Sequence, residues 1–515
     1  MKEPKLILIY GLALIKFAFP FALQNSTFTP HTNEFLFLEQ GNHLDWGYLE
    51  SPPLLSALAW ITNLLGNDLF WIKLWPSLFG TLTFVLVGRI VLLVEGGTFA
   101  IFLSFLPFIF GAYLRMHYLF QPIFLDVFFS TFIIYALINF IHSQKNYWLY
   151  LLGIGCGLGM MSKYSVAFTI VSVLIGLLVS PQRKVFLNIH FYISLLIGAI
   201  IFSPNVWWQY NHGFPALHFV ENMQEATAQY AGTSDFILDQ LVMNLPCVFI
   251  WIMGLLMILL LRKRRIFIFL FFGYFILMIL LLTLNFKGYY ALSIYPALFA
   301  FGAKQFERLT IKRVQFTRYI MITIPFYFGY LSMPLAMPIF NPQQLDDLYQ
   351  LRQVEVLGVL KWDDGRNHSL PQDFAEMLGW KQIAEHTLRV YKNLGSDAQS
   401  KTIIYCSNSG LAGALTYYGK QMGLPPVISE SGSFVYWMPE KYDVQNIILL
   451  SHSVPGKDDE IFREFANITE EDQFHDPYAK EDGVKIILCQ APFAQLNQVL
   501  EQRIARKKMD LIRKN

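Results

Sequence analysis

The chain has 515 residues, of which 54% are hydrophobic and only 15% are charged, and its net charge is +2. Soluble domains average about 25% charged residues, so this composition excludes an ordinary soluble protein. The near-neutral balance gives no indication of a nucleic-acid partner. We therefore expect most of the chain to lie in a membrane.

Apolar segments follow one another over the first two thirds of the chain, and a helix that crosses a bilayer needs roughly 20 such residues. A cleavable signal peptide over residues 1–24 is the alternative for the first segment, although no small-residue cleavage site follows it. We predict eleven transmembrane helices, over residues 5–23, 68–93, 98–114, 119–141, 147–161, 163–180, 187–203, 240–261, 266–284, 288–303 and 317–336.

Basic residues between these segments indicate the orientation, because Lys and Arg concentrate in short cytoplasmic loops. If the N-terminus is cytoplasmic, the loops 24–67, 204–239 and 285–288 and everything after residue 336 are extracytoplasmic. Five basic clusters then fall on the cytoplasmic side: Lys2 and Lys5, Lys145, Arg183 and Lys184, Arg262 to Arg265, and Lys304 with Lys312, Arg313 and Arg318.

The composition changes near residue 340, and we place a boundary there between a transmembrane domain, 1–338, and a soluble domain, 339–515. No glycine-rich phosphate-binding fingerprint follows the strand-like runs of the second domain. Two of these runs end in Cys406 and Cys489, which we expect to be buried thiols rather than a disulfide. The runs "KTIIYC", "NIILLS" and "VKIILC" alternate with helical patterns near 372–392, 410–422, 458–466 and 494–508, which predicts a parallel or mixed α/β sheet covered by helices.

Polar residues collect on the predicted extracytoplasmic side, where each charge at membrane depth needs a partner or a function. Carboxylates serve there as general bases or metal ligands, and cations bind phosphate. The first loop, "NEFLFLEQGNHLDWGYLESPP", contains Glu34, Glu39, Asp45 and Glu50 beside Trp46 and Tyr48. Later segments add Arg115, His117, Asp126, Lys163, Trp207, Lys287, Tyr289 and Tyr290.

These residues also have structural interpretations. Trp207 fits an interfacial aromatic belt, and the lysines can extend their ammonium groups to the membrane surface. His117 alone fits a packing position. The acids Glu34 and Asp126 are the hardest to explain without a function.

The order and spacing of several motifs resemble a known superfamily. The motifs are the first loop quoted above, Asp126, "SKYS" after the fifth span, "SPNVWWQYNHGFPAL" and "KGYYALSIYPALFAFGA". Over residues 5–305 the chain resembles GT-C glycosyltransferases of the protein-mannosyltransferase and aminoarabinose-transferase superfamily, in particular the bacterial RgtA/B/C/D-like group. The tail segment "LPQDFAEMLGW" is similar to the soluble extension of some of these proteins.

The resemblance implies an α-helical polytopic protein of GT-C architecture in the inner membrane of a bacterium, with a C-terminal soluble α/β domain. It also implies an enzyme that transfers a hexose or a pentose. The donor would be a polyprenyl-phosphate-linked sugar, and the acceptor a lipid, a glycan or a protein on the extracytoplasmic face. The transfer would invert the anomeric carbon.

The family's first-loop motif pairs a proposed catalytic Asp with a Glu, and in this chain the pair reads Asn33-Glu34. Because an amide cannot accept a proton at neutral pH, the resemblance assigns the catalytic role to Glu34, with Asp126 as the second acid. Whether these two acids also hold a divalent metal cation is left open. Ser51 replaces the family's Lys before Pro-Pro. Substrate contacts then fall to Lys163 and Lys287 at the phosphate, Arg115 in reserve, and Tyr48, His117, Trp207, Tyr289 and Tyr290.

Other functions stay open at this point. A transporter or flippase for a lipid-linked or polar substrate would carry inverted repeats and broken helices at mid-membrane, and no such repeat is visible. A polymerase or ligase of lipid-linked glycans would share the layout, with a longer loop richer in Arg and His. The asparagine at position 33 also fits a weakly active or non-catalytic relative.

Overall fold

The computed structural model describes residues 3–221, 232–311, 314–456 and 458–513. The basic residues Lys2, Lys312 and Arg313, which we used to predict the orientation, lie outside this part of the chain. Within it, long apolar helices form the first two thirds of the molecule, and a five-stranded sheet with its own helices forms the rest.

The helices of the membrane region follow one another with short connections. Four 3₁₀ helices of the described chain adjoin them: Pro181–Leu187 after α10, Leu245–Cys247 before α13, Arg262–Phe267 before α14 and Gly288–Ser293 before α15. In chain order the helices are α1 Glu3–Leu23, α2 Thr32–Asn42, α3 Leu54–Leu64, α4 Leu69–Leu93, α5 Thr98–Phe105, α6 Pro107–Phe110, α7 Ala112–Met116, α8 Ile123–Ser143, α9 Tyr147–Met160, α10 Val166–Leu178, α11 Ile189–Asn211, α12 Thr233–Val242, α13 Val248–Leu260, α14 Ile268–Thr283, α15 Tyr295–Leu309 and α16 Thr317–Ala336.

Six helical segments of the described chain are long and apolar enough to cross a membrane: α1, α4, α8, α11, α16 and Arg265–Thr283, which contains α14. Two bent pairs raise this number to eight, namely α10 with its 3₁₀ extension, bent by 107°, and α12 with Leu245–Leu260, bent by 64°. The predicted number of eleven spans is therefore not confirmed. The difference lies in segments such as α9 and α15, which are shorter than the roughly 20 residues that a span needs.

Two short helices occupy the predicted first loop. α2 begins after His31, whose Nδ1 accepts a hydrogen bond from the Asn33 backbone N–H at 3.1 Å. The His31 backbone N–H in turn donates to Glu34 Oε2 at 2.8 Å. This reciprocal capping box satisfies donors that the start of a helix otherwise leaves free. α3 begins directly after Pro53 and packs against α2.

The C-terminal region contains one mixed sheet with the strand order β2-β1-β3-β5-β4. β1 pairs in parallel with β2 and β3, and β5 pairs antiparallel with β3 and β4. The strands are β1 Thr402–Cys406, β2 Val427–Ser429, β3 Asn446–Ser451, β4 Phe465–Gln473 and β5 Lys485–Pro492. The helices are α17 Pro342–Arg352, α18 Gln372–Ala375, α19 Trp380–Lys392, α20 Ser396–Ser400, α21 Ser409–Met422, α22 Phe434–Trp437 and α23 Leu496–Arg513.

The predicted mixed sheet is confirmed, and the three apolar runs are its central strands β1, β3 and β5. The helix predicted near 458–466 is reduced to one 3₁₀ turn, Phe462–Glu464, which leads into β4, an edge strand whose polar sequence hides its extended conformation. Cys406 and Cys489 are buried free thiols, as predicted.

Alternate residues of the strands face different helices, as the two-residue period of a strand requires. On one face, Ile404 and Ile448 pack in a core with α19 and α21. On the other, Ile403 and Ile447 pack with the apolar side of α23. The sheet is therefore covered on both faces.

The C-terminal region shares its core with the first loop. Phe35 of α2 is buried against Trp380 and Tyr417, with ring centroids 5.7 and 5.3 Å apart. α21 approaches α2 so closely that a Cβ at Gly413 would lie 2.8 Å from Phe35 Cβ. The C-terminal region and the loop 24–67 consequently lie on the same side of the helical region.

Candidate functional site

A buried acid occupies the first turn of α8. Asp126 is 1% exposed, and its two carboxylate oxygens each accept a hydrogen bond from a serine hydroxyl. Ser165 Oγ lies 2.5 Å from Oδ2, and Ser130 Oγ lies 3.1 Å from Oδ1. The loop between α9 and α10 supplies Ser165, so the predicted motif "SKYS" does reach the predicted acid.

A cation from the same loop lies beside this acid. Lys163 Nζ lies 4.2 Å from the ring centroid of Tyr290 and 5.5 Å from that of Tyr289. Lys163 and Asp126 also attract each other electrostatically, although the two groups do not form a direct ion pair in the described chain. The structure thus brings four of the predicted residues together at the ends of α8, α9 and the helix Gly288–Ser293.

Lys287 is separate from this group. It precedes the helix that carries both tyrosines, but its side chain is exposed. Tyr289 and Tyr290 stack on each other with centroids 4.6 Å apart. Of the residues in this segment, Tyr290 and not Lys287 therefore contacts the ammonium group of Lys163.

Glu34 has a different environment. Its carboxylate is fully buried, and Lys73 Nζ of α4 lies 2.6 Å from both of its oxygens. The Phe120 backbone N–H donates to Oε1 at 2.5 Å, and the capping bond from His31 reaches Oε2. With this many donors, the carboxylate is held as half of an ion pair, and this geometry does not favour its use as a base.

Lys73 was not among the site residues predicted from the sequence. Its signal was a cation one turn inside a mostly apolar helix. Such a residue requires a buried partner. The ammonium group also lies over the ring of Tyr118, 4.2 Å from the centroid.

Neither Glu34 nor Asp126 lies in a recognisable metal site. Within the described ranges, no three or more His, Cys, Asp or Glu side chains converge as metal ligands would. Glu34 already faces the cation Lys73, and Asp126 faces two hydroxyl donors. With these partners, the two acids do not fit a divalent ion.

Arg115 connects the membrane helices to the C-terminal region. Its Nη1 lies 2.7 Å from Asp373 Oδ2, its Nη2 donates to the Leu335 carbonyl, and its guanidinium lies over the ring of Phe374. Burial of Asp373 opposes its charge, but Arg115 and His31 together hold the pKa of this carboxyl well below its usual value. Arg115 is thus engaged away from Lys163.

His31 joins the same contact. Its Nε2 lies 3.0 Å from Glu376 Oε2 and 3.8 Å from Asp373 Oδ1. Burial lowers the pKa of His31, but the two carboxylates outweigh this effect and raise it to about 9. The Asn33 backbone N–H donates to Nδ1, and Nε2 faces the two carboxylates.

Glu50 ties the first loop to α22. Its carboxylate accepts hydrogen bonds from the Ser433 hydroxyl at 2.5 Å, the Ser433 N–H at 2.8 Å and Gln40 Nε2 at 3.0 Å. Burial raises the pKa of Glu50, and these hydrogen bonds oppose the shift. The contact between Glu50 and Ser433 could not be predicted from the sequence, because the two residues lie 383 positions apart.

The remaining predicted residues are dispersed. Asn33 is exposed in the first turn of α2. Tyr48 is buried, and its hydroxyl donates to backbone carbonyls of Gln40 and His43. His117 is buried beside Phe108. Trp207 is 67% exposed, as an interfacial residue would be.

An apolar cavity of about 180 Å³ lies between α8, α9, α10 and α11. Its wall runs from Met160, three residues before Lys163, to Phe191 near the start of α11. Glycines at 153, 157 and 198 line it, so the helices approach closely while leaving room beside them. The lining is almost wholly hydrophobic and fits a hydrocarbon chain.

Residues 50–208 match the family described as dolichyl-phosphate-mannose-protein mannosyltransferase. The chain is also 30% identical over 186 residues to the lipid A galacturonosyltransferase RgtD of Rhizobium johnstonii. This match covers 33% of the chain and 36% of RgtD, so it spans about a third of that relative's length.

Solved structures match over most of the chain. ArnT from Cupriavidus metallidurans bound to undecaprenyl phosphate has a TM-score of 0.62 at 14% identity, over 95% of this chain and 98% of ArnT. The oligosaccharyltransferase of Archaeoglobus fulgidus has a TM-score of 0.51 at 13% identity, over 86% of this chain and 67% of that protein. The chain therefore has the fold of the GT-C glycosyltransferases, and its resemblance to those that use polyprenyl-phosphate sugars, inferred from the sequence, is confirmed.

Proposed function

We propose that the chain is an integral membrane glycosyltransferase. It moves a sugar from a polyprenyl-phosphate donor to an acceptor on the extracytoplasmic face, with inversion at the anomeric carbon. The observation that carries the proposal is the group of the buried Asp126 and Tyr290 with the half-buried Lys163 and Tyr289, at the ends of apolar helices. The printed names of the relatives, a galacturonosyltransferase and a protein mannosyltransferase family, support it.

The reaction breaks the bond between the anomeric carbon and the phosphate oxygen, so negative charge grows on the departing phosphate. Lys163 is the cation proposed to stabilise this charge, because its ammonium group has no carboxylate in direct contact to neutralise it in the described chain. The cavity that begins at Met160 is proposed to hold the polyprenyl chain behind that phosphate. The ArnT structure bound to undecaprenyl phosphate supports this donor class.

The acceptor hydroxyl must lose a proton as it attacks the anomeric carbon. We assign that proton to Asp126, since its two serine bonds leave lone pairs free on both oxygens. Glu34, the acid favoured by the sequence resemblance, is assigned to the ion pair with Lys73 instead. Asn33 lies on the exposed side of α2, where an amide can hydrogen-bond to a sugar without taking a proton.

The test is sugar transfer in proteoliposomes that contain a polyprenyl-phosphate sugar. Lys163→Met and Asp126→Asn are each expected to lower turnover by about 10²-fold or more, the scale of electrostatic and general-base contributions. Lys145→Met removes an equal charge from an exposed residue between α8 and α9 and is expected to leave turnover unchanged.

Full turnover in both site variants would overturn the assignment. Uptake of the lipid-linked sugar without any transfer by the unaltered protein would favour a transporter or flippase instead.

A further inference from the structure

Four hydroxyl groups form a continuous buried chain behind Asp126. Ser130 Oγ bonds Asp126 Oδ1 at 3.1 Å, and Thr169 Oγ1 of α10 lies 3.1 Å from Ser130 Oγ. Ser293 Oγ lies 3.2 Å from Thr169 Oγ1. Ser165 completes the set on the other carboxylate oxygen. All four residues are buried, so these hydroxyls depend on one another for hydrogen bonds.

The chain of hydroxyl groups ends in the helix Gly288–Ser293, where the ring of Tyr290 faces Lys163. Ser293 Oγ donates to the backbone carbonyl of Tyr290 at 3.3 Å, and Tyr290 carries the ring under the Lys163 ammonium group. When Ser293 donates to Thr169, the run of hydrogen bonds from Asp126 ends at Ser293, in the same short helix as Tyr290, whose ring lies under the Lys163 ammonium group. The run passes through α8, α10 and the helix Gly288–Ser293.

The direction of the bonds follows from the number of hydrogens. An ionised carboxylate only accepts, so the single hydrogen of Ser130 points to Asp126. The oxygen of Ser130 can then only accept from its other neighbour, which makes Thr169 the donor to Ser130. The single hydrogen of Ser293 goes either to Thr169 or to the Tyr290 carbonyl, and the first arrangement is the one that extends the hydrogen bonds to the helix Gly288–Ser293. Bonds aligned in this way polarise one another in a dry interior.

We propose that Thr169 is a positioning residue of the glycosyl-transfer site, which fixes the Asp126 carboxylate relative to Tyr290 and Lys163 through the hydroxyls of Ser130 and Ser293. The inference rests on the proposed function. In the described chain, no hydrogen bond joins Thr169 directly to Lys163 or to the carboxylate of Asp126. Thr169 lies in the middle of the chain of hydroxyl groups, so the loss of its hydroxyl breaks the connection between Ser130 and Ser293.

Thr169→Val tests the inference because it replaces the hydroxyl by a methyl group of nearly equal volume. We expect turnover to fall about tenfold while the KM for the donor changes less than twofold, because the cavity for the lipid is untouched. Thr169→Ser restores the hydroxyl and is expected to regain most of the turnover.

Thr131→Val is the matched control. Thr131 is equally buried and adjacent to Ser130 in α8, but its hydroxyl bonds only the Val127 carbonyl of its own helix, at 2.7 Å. It should keep full turnover. The decisive readout is the double variant Asp126→Asn with Thr169→Val, in which the second change should add no further loss to the residual rate.

Equal turnover in Thr169→Val and Thr131→Val, alongside inactive Asp126→Asn and Lys163→Met, would refute the positioning role and leave the proposed function intact. A Thr169→Val loss that persists undiminished in the Asp126→Asn background would also refute it, since Thr169 would then act through general packing. Full turnover in Asp126→Asn and Lys163→Met overturns the proposed function, and the inference falls with it.

Discussion

At the scale of single residues, the ion pair of Glu34 and Lys73 shows how a buried acid can support the fold rather than the reaction. Both side chains are fully buried, and each is the other's counter-charge. The sequence indicated a functional role for Glu34. It could not identify Lys73 as the partner of Glu34, because Lys73 lies 39 positions further on in another helix. The residues adjacent to Glu34 in the sequence therefore could not show whether it is a catalytic base or one partner of a buried ion pair.

We expect Lys73→Met alone to destabilise the protein by about 3–5 kcal/mol, because it leaves the Glu34 charge buried without compensation. The double variant Glu34→Gln with Lys73→Met removes both charges and should recover most of this loss. Thermal unfolding in detergent, followed by tryptophan fluorescence, measures both effects.

The same double variant decides the role of Glu34 in the reaction. If Glu34 only supports the fold, the folded double variant transfers sugar at close to the normal rate. A double variant that is stable but inactive would instead identify Glu34 as the base.

At the scale of elements, the start of α2 is where the first loop meets the C-terminal region. His31 caps the helix through Nδ1 and contacts Glu376 through Nε2. The C-terminal strands were predictable because buried β-branched runs differ from helical patterns, whereas α2 and α3 were not. The apolar residues of α2, Phe35 to Leu38, follow one another without a helical period, and α2 packs against α21, an element from the other end of the chain.

His31 variants separate its two contacts. His31→Asn keeps an acceptor for the Asn33 N–H and loses the contact with Glu376, whereas His31→Ala loses both. We expect Ala to cost about 0.5–2 kcal/mol more than Asn in unfolding free energy, the usual value of an N-cap.

Unfolding of the two variants, with Glu376→Gln for comparison, provides the measurement. Equal stability of His31→Asn and His31→Ala would mean that the cap contributes nothing and that the contact with Glu376 carries the effect.

At the scale of the whole molecule, the sheet region shares one buried cluster with the first loop and with Leu114 and Tyr118 of the membrane region, beside the separate core of the membrane helices. Phe35 and Leu36 of α2 are buried in the same cluster as residues of the sheet. The predicted boundary at 338 followed a change of composition, and composition cannot reveal that two distant segments pack together. The polar contacts of His31, Arg115 and Glu50 across this junction were hidden from the sequence for the same reason.

Gly413→Ala is expected to destabilise this junction by about 1–3 kcal/mol, because its Cβ would meet the backbone and Cβ of Phe35 within 3 Å. Gly395→Ala is the matched control, since a Cβ there meets no atom within 4 Å. Limited proteolysis should cut the loop 24–67 faster in Gly413→Ala than in Gly395→Ala. Equal cleavage rates would show that the close approach of α21 to α2 is not what holds the loop.

The shared core also has a consequence for biosynthesis. α2 leaves the ribosome long before its packing partners, since the contacts that hold the first loop join residues more than 340 positions apart, such as Thr29 with Met377 and Leu49 with Ser433. Until α19 and α21 are made, Phe35 of α2 lacks Trp380 and Tyr417, the side chains that cover it. The first loop can therefore take its final packing only late in translation, and the newly made chain passes through a stage in which this apolar surface is open to chaperones, lipid or neighbouring chains.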